Sequence, residues 1–174
     1  MPSYAEVQKK YIVPLRDINP TVGTWTLTLA SEILSLDKTA ADNTSVLHIP
    51  LNVPRRTDFY GVKLETVNIY ALVTTADLDA APALVISRND YDAVNATAGS
   101  TSAVTKQTIA ATAGAGVVVT ADADARKWSW AIDTPAADYD TELSCSYHGA
   151  LTLNAGASTV IKIYGVELVY KELN

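Results

Sequence analysis

This sequence contains little of the chemistry on which most catalytic and metal sites depend. Its 174 residues include one cysteine, two histidines, one methionine and one phenylalanine. The lone Cys145 excludes an intrachain disulfide and is typical of synthesis in a reducing cell interior. Because a structural zinc site needs four ligands, the Cys145/His148 spacing is interpreted as a thiol and a strand-end histidine that bind no metal.

Positive charge is also scarce, and long apolar runs are absent. Lysine and arginine number 13 against 19 acidic residues, a net charge of −6. This balance argues against nucleic acid or an anionic membrane as a partner. No segment approaches the roughly 18 consecutive apolar residues of a membrane helix. The first residues lack the apolar core of a secretory signal.

Catalytic and cofactor motifs are missing from the chain. It contains no G-x-S-x-G, no H-E-x-x-H and no phosphate-binding G-x-x-x-x-G-K. Several aspartates follow position 120, but their spacing lacks the glycine and terminal glutamate of an EF-hand, so they are interpreted as solvated loop carboxylates. They are Asp122, Asp124, Asp133, Asp138 and Asp140. The chain is therefore predicted to be non-enzymatic, without cofactor or metal.

Alternation of apolar and polar residues, the pattern of β-strands, recurs along most of the chain. The longest such run is Phe59–Thr75, and its segment Tyr60–Glu65 is echoed by Tyr164–Val169. Two long segments of matching chemistry predict neighbouring central strands of one all-β domain.

Both of these segments change the phase of their alternation. The apolar positions switch parity between Leu64 and Val67 in the first segment, and between Ile163 and Val166 in the second. One extra residue flips the inward face of a strand, so each switch predicts a β-bulge or a bend. Gly165 lies at the second switch, where we expect it to supply backbone angles closed to other residues.

Shorter segments complete the predicted fold. Gly23–Ala30 alternates leucine with threonine and predicts a strand with Trp25, Leu27 and Leu29 buried, while Ser31–Lys38 is predicted to be a helical turn or a loop. Nine to eleven short strands, without any sustained helical period, predict an all-β, single-domain two-sheet sandwich that is jelly-roll-like. This domain is predicted to span residues 10–174, after a flexible arm of residues 1–9.

Trp128 and Trp130 are the only aromatic pair with a pattern that suggests a ligand. Alternate positions on a strand share a face, so the two indoles project together. Exposed, they would form a stacking platform for a sugar. Tryptophan on a strand is more often core, and that interpretation is favoured.

Four segments resemble the virion structural proteins of tailed bacteriophages. Ile49–Pro54 is a proline-rich entry, Phe59–Tyr70 a strand with Gly-Val-Lys near its start, and Thr75–Asp79 a loop of Thr-Ala-x-Leu-Asp type. Ile163–Tyr170 is similar to the last strand of those proteins. These are strand and loop patterns, so the resemblance carries no catalytic residue with it.

The resemblance implies a jelly-roll module of the capsid surface, of the decoration, cement or head-fibre type. The expected function is that of a non-enzymatic structural protein that binds the capsid surface and stabilises the head. Its partners would be the major capsid protein or other virion proteins, and its location the virion, assembled in the host cytoplasm. The candidate lattice contacts are the polar residues of the arm: Tyr4, Glu6, Gln8, Lys9 and Lys10.

The sheet edges predict an oligomer. Edges with threonine faces and few lysines invite pairing with another chain, which predicts a homo-oligomer, and the resemblance implies a trimer.

The alternative function is a carbohydrate- or receptor-binding module of a phage fibre or tail. It would use a platform of Trp128, Trp130 and Tyr139, with Asp133 or Asp138 nearby.

Overall fold

The computed structural model describes residues 6–51, 61–91, 104–109, 111–117, 119–132 and 145–173, most of which lie in strands. Within these residues the only helical element is a 3-10 turn, Leu15–Asp17. The strands, in chain order, are β1 (Glu6–Val13), β2 (Asn19–Val22), β3 (Thr26–Ala30), β4 (Ile33–Lys38), β5 (Asn43–Pro50), β6 (Gly61–Thr74), β7 (Leu78–Tyr91), β8 (Val104–Ile109), β9 (Ala111–Ala113), β10 (Arg126–Ile132), β11 (Cys145–Ala155) and β12 (Val160–Leu173).

The strands form two antiparallel sheets with the topology of a jelly roll. Sheet A has the order β3-β4-β12-β6-β10-β9, with β1 also paired to β12, and sheet B has the order β2-β5-β11-β7-β8. When the peripheral strands β1, β2, β3 and β9 are left out, the strand order is β4-β12-β6-β10 in sheet A and β5-β11-β7-β8 in sheet B. Successive strands cross repeatedly between the sheets, as in a jelly roll. The predicted two-sheet, jelly-roll-like sandwich is confirmed.

The two long echoing segments are central neighbours, as predicted. Strands β6 and β12 pair antiparallel along their whole length. Gly61 lies opposite Leu173 at one end, and Thr74 lies opposite Val160 at the other. The pairing has two register shifts, and each coincides with a predicted change of phase. One leaves Glu65 as the extra residue of β6, and the other leaves Tyr164 as the extra residue of β12. The bulges keep apolar side chains directed inward on both sides of each shift.

The role predicted for Gly165 is wrong. Among the described glycines, a positive φ occurs only at Gly23, so Gly165 uses a backbone conformation open to other residues. A Cβ built on Gly165 would lie 3.9 Å from Cδ2 of Tyr70, which is an ordinary contact. The extra residue itself, Tyr164, accommodates the register shift.

The hydrophobic core lies between the two sheets. It is built from the inward positions of the central strands, and its fully buried members include Leu47, Ile49, Ile69, Ile86, Leu151, Leu153, Ile161 and Ile163. Burial of such side chains stabilises a fold by about 1.5–3 kcal/mol each. The apolar alternation that predicted the strands is therefore the inner lining of the sandwich.

The predicted N-terminal arm is wrong from Glu6 onward. Residues Glu6–Val13 form strand β1, which pairs along its whole length with β12. Three of the proposed lattice contacts bind within the domain. Lys9 pairs with Glu172 (2.5 Å), Lys10 with Glu167 (3.2 Å) and Gln8 with Glu65 (3.1 Å). Tyr4 lies outside the described residues.

Two predictions for residues 23–38 are also wrong. Residues 31–38 are not a helical turn, because Ile33–Lys38 is strand β4 and forms a hairpin with β3. The leucines of β3 are not buried: Leu27 is 46% exposed and Leu29 is 70% exposed. The β3–β4 hairpin is therefore a peripheral extension of sheet A, and Trp25, just before it, is only partly buried.

Candidate ligand-binding face

The tryptophan pair is part of the core and not a platform. Trp128 and Trp130 are each 1% exposed, and their rings meet edge to face at 6.5 Å between centroids. Both lie on β10 opposite buried residues of β6, at Ile69 and Val67. The favoured core interpretation is confirmed, and the sugar platform built on these indoles is wrong. Tyr139, Asp133 and Asp138 lie outside the described residues.

The two histidines lie together on sheet B. His48 of β5 and His148 of β11 stack with ring centroids 5.8 Å apart. In the described part of the chain, no three histidine, cysteine, aspartate or glutamate side chains are grouped as a metal site. The side chain of Cys145 lies outside that part.

Asp122 has a local partner. Its Oδ2 accepts a hydrogen bond of 2.6 Å from Nε of Arg126, and this bond is the main reason that the pKa of Asp122 lies below its ordinary value. Asp124 follows in the same exposed connection, whereas Asp138 and Asp140 lie outside the described residues. The Asp122 carboxylate therefore has a nearby cationic partner.

A row of polar side chains crosses the outer face of sheet A, the face turned away from sheet B. Asn68 of β6 lies directly opposite Ser129 of β10 on one side and Glu167 of β12 on the other. Their chain neighbours are core residues, so these three side chains must project to the opposite face. Lys10 of β1 extends the row across a fourth strand.

Hydrogen bonds connect the members of this polar row. Ser129 Oγ donates to Asn68 Oδ1 (2.5 Å), and Asn68 Nδ2 donates to Glu167 Oε1 (2.8 Å). The other carboxylate oxygen, Oε2 of Glu167, accepts from Lys10 Nζ at 3.2 Å. Asn68 and Glu167 are only 4% and 7% exposed, so both planar groups are held in fixed orientations.

Tyr70 places an aromatic ring beside the polar row. It occupies the next outward position of β6, two residues from Asn68, and lies opposite Lys127 and Gly165. Because Gly165 has no side chain, the ring lies over bare backbone, with its Cδ2 3.9 Å from where a Cβ would be. Tyr70 is only partly buried, so part of its surface faces solvent.

Ion pairs surround this face. Lys171 pairs with Glu65 at 2.9 Å, and Lys162 lies 3.7 Å from Asp37. Together with the Lys10–Glu167 pair, they place a carboxylate beside each of three lysines of the sheet. The outer face of sheet A is therefore polar, with Lys127 directly opposite Tyr70.

This group of residues was not predicted from the sequence. Asn68 and Glu167 are 99 positions apart, and no motif links them. The available signal was the pairing of the two echoing segments, because their outward positions must share one face of the sheet. Reading the polar outward residues of both strands together would have indicated Asn68 and Glu167.

The comparisons with known proteins found only distant structural likeness. No protein-family model and no curated protein matches the chain. Among solved structures, "CBM29_1, A Family 29 Carbohydrate Binding Module from Piromyces equi" aligns at 9% identity and a TM-score of 0.40, covering 96% of this chain and 89% of that one.

Two further solved structures are similarly remote. "TmCBM61 in complex with beta-1,4-galactotriose" aligns at 8% identity and a TM-score of 0.38, covering 92% of this chain and 86% of that one. The "low affinity xylan binding module CBM86" from Roseburia intestinalis aligns at 11% identity and a TM-score of 0.33, covering 97% and 96%. Likeness this remote carries no information about the ligand of this chain.

The described part of the chain has no helix with the length and apolar character needed to cross a membrane.

Proposed function

We propose that this protein is a non-enzymatic binding module for neutral carbohydrate, and that the outer face of sheet A is its binding surface. The observation that supports the proposal is the hydrogen-bonded row Ser129–Asn68–Glu167 beside the half-buried ring of Tyr70. Jelly rolls include lectins as well as viral capsid proteins, so the fold alone does not decide between these functions.

The chemistry of the row suits a polyhydroxylated ligand. A sugar presents hydroxyl groups that both donate and accept hydrogen bonds, together with C–H surfaces that pack on an aromatic ring. Tyr70 offers an amphipathic ring. Because its proton is donated to Asn68, the Ser129 hydroxyl can accept a hydrogen bond from a ligand hydroxyl at the exposed end of the row. Since Asn68 holds Ser129 in place, little side-chain entropy is lost on binding.

The charge of the face favours a neutral ligand. Glu167 is paired with Lys10, and the flanking lysines Lys171 and Lys162 lie beside Glu65 and Asp37. An ionic ligand that contacts these paired groups would have to displace one of the pairs, whereas a neutral sugar would not. Net charge of −6 further disfavours acidic polysaccharides through long-range repulsion.

A glycan array followed by titration calorimetry tests this proposal. We expect binding to one or more neutral glycans, with affinity reduced about tenfold or more by Tyr70→Ala, which corresponds to about 1.4 kcal/mol. Ser129→Ala should also weaken binding, and Tyr70→Phe should retain most of the affinity if the ring face is the contact. Thr152→Ala, on the outer face of sheet B, is the control and should change nothing. No bound glycan, or equal binding by Tyr70→Ala and wild type, would exclude this surface.

A second candidate function is that of a virion surface protein which decorates and stabilises a capsid. The observation that favours it is the exposed apolar β3–β4 hairpin, since exposed apolar patches mark protein–protein contacts. On this candidate the partners are capsid proteins and the location is the virion. The N-terminal lattice arm is no longer part of it beyond residue 5, because β1 is built into sheet A.

Gradient-purified virus particles test the second candidate. We expect mass spectrometry to find this chain at a fixed ratio to the major capsid protein of the particle that encodes it. Leu29→Lys should lower that occupancy while leaving the fold unchanged, because Leu29 is already largely exposed. Absence of the chain from such particles would rule out the virion role and would leave the glycan proposal intact.

A further inference from the structure

Half of the large apolar side chains that are exposed in the described part of the chain lie in one hairpin. They are Leu27, Leu29, Ile33 and Leu34, between 42% and 70% exposed. Leu27 lies opposite Leu36, and Leu29 lies opposite Leu34, so these leucines share one face of the hairpin. Leu36 is buried in the core at 5% exposure. The hairpin thus continues the apolar inner face of sheet A beyond the region that sheet B covers.

Strand β3 is also an unprotected sheet edge. Within the described residues its only strand neighbour is β4. The other edges carry features that oppose pairing with another chain: β1 has Lys9 and Lys10, β2 has Pro20, β8 has Lys106 and β9 has three residues. Strand β3 has the sequence Thr-Leu-Thr-Leu-Ala, with no charge and no proline.

We infer that β3 pairs antiparallel with β3 of a second copy of this chain, which makes the protein a two-fold symmetric dimer with a continuous sheet A. The sequence of β3 is complementary to itself about Thr28. Antiparallel pairing centred there places Thr28 opposite Thr28, and Leu27 opposite Leu29 of the partner. Threonine pairs and aliphatic pairs at directly opposite positions stabilise antiparallel sheets.

The symmetry of this contact determines the number of subunits. Two identical strands related by a two-fold axis use the same surface on both copies, so the interface closes after two chains. A trimer, which the phage resemblance implied, would require β3 to pair with a different edge. Each remaining edge of the described sheets is charged, contains proline or is short, which disfavours that arrangement.

The dimer is expected to be concentration-dependent. Stable interfaces bury about 1,200–2,000 Å², and a contact made by one pair of five-residue strands is small by this measure. Light scattering and sedimentation velocity over a concentration series should therefore show a shift from the 18.5 kDa of one chain to twice that mass.

Two exposed apolar residues offer a matched pair of variants. Leu27 and Val85 are both 46% exposed, but Val85 lies on sheet B, away from the hairpin. Leu27→Lys places like charges at the proposed contact and should raise the dimer dissociation constant about tenfold or more. Val85→Lys should leave it unchanged. A monomer at every concentration, a trimer, or equal effects of the two variants would overturn the inference.

Cysteine cross-linking in a Cys145→Ser background tests the register. Thr28→Cys should form a disulfide-linked dimer on mild oxidation, because the two copies of position 28 lie directly opposite each other. Thr26→Cys should not, because position 26 lies opposite Ala30 of the partner. Cross-linking of Thr26→Cys in preference to Thr28→Cys would contradict the proposed pairing. None of these results depends on glycan binding.

Discussion

The side-chain amide of Asn68 donates a 2.8 Å hydrogen bond to the carboxylate of Glu167, across the two central strands of sheet A. Both residues are more than nine-tenths buried although they lie on the outer face of the sheet. The bond therefore stabilises the pairing of β6 with β12 and also fixes the polar groups of the candidate binding face.

Replacing Asn68 by alanine should destabilise the protein. Glu167 would keep Lys10 but lose its shortest hydrogen bond, and leaving a buried polar group without a partner costs about 1–3 kcal/mol. Urea denaturation measures this loss as a lower free energy of unfolding. Gln8→Ala removes the exposed bond to Glu65 and should stay within about 0.5 kcal/mol of wild type. Equal losses of unfolding free energy in the two variants would show that the buried hydrogen bond stabilises the protein no more than the exposed one does.

Two glycines should respond differently to alanine. Gly23 has φ +85°, and a Cβ there would clash with Oγ of Ser45, so Gly23→Ala should be destabilising by about 1–3 kcal/mol. Gly165→Ala should be nearly neutral, within about 0.5 kcal/mol, because the added Cβ meets Tyr70 at 3.9 Å. Thermal unfolding of both variants checks the contrast, and a large loss at Gly165 would restore the predicted role for glycine at that bulge.

The turn of the β3–β4 hairpin can be improved. Ser31 and Glu32 both have positive φ, at 50° and 66°, which matches a two-residue turn that prefers Asn-Gly. The double variant Ser31→Asn/Glu32→Gly should raise the free energy of unfolding by about 0.5–1 kcal/mol, because a left-handed backbone costs a non-glycine residue about 1–2 kcal/mol and the added entropy of glycine offsets only part of that. Denaturant titration tests it, with Ser31→Asn alone expected to give part of the gain. No gain from either variant would mean that the turn is unstrained.

The buried Lys38 predicts a rise in stability at alkaline pH. Its Nζ donates to the carbonyls of Ala41 (3.0 Å) and Thr39 (3.4 Å), and burial lowers its pKa below 10.5 despite the opposing charge of Asp42. The unfolded chain therefore holds this proton more tightly than the folded chain does. The free-energy cost of burying the charged ammonium group of Lys38 is complete below its folded-state pKa. This cost disappears as pH rises toward 10.5.

Comparison with Lys38→Met isolates this effect. The difference in unfolding free energy between wild type and Lys38→Met should shift in favour of wild type between neutral pH and 10.5. Burial raises the pKa of Tyr170, but both proteins share that group and it cancels in the difference. A pH-independent difference for Lys38→Met would contradict the argument.

The centre of the fold was predictable because apolar alternation reports which side of a strand is covered. The parity switches after Leu64 and Ile163 indicated the two bulges before any pairing was known. The β3–β4 hairpin was not predictable, because Ser31–Glu32 lacks the usual turn residues and Leu27 and Leu29 imitate a buried face. The first part of strand β1, residues 6–10, was missed since Lys9 and Lys10 join the sheet through ion pairs, which leave no apolar period.

The candidate site could not be predicted from the sequence for a related reason. Trp128 and Trp130 suggested a ligand platform because they are large and share a face of the strand. The same two properties place them in the core. Asn68, Ser129 and Glu167 are unremarkable as isolated residues. They form a group only through the register of β10, β6 and β12, which depends on the whole sheet.

The central position of β12 has a consequence for how this protein is made. Strand β12 pairs with β1, β4 and β6, all of which leave the ribosome long before it does. Sheet A therefore cannot close until β12 has been synthesised, and the edges of β4 and β6 that pair with β12 stay unpaired until then. Folds built from such distant pairings form slowly and expose aggregation-prone edges meanwhile. Chaperone occupancy of the nascent chain should persist until the segment Val160–Leu173 emerges.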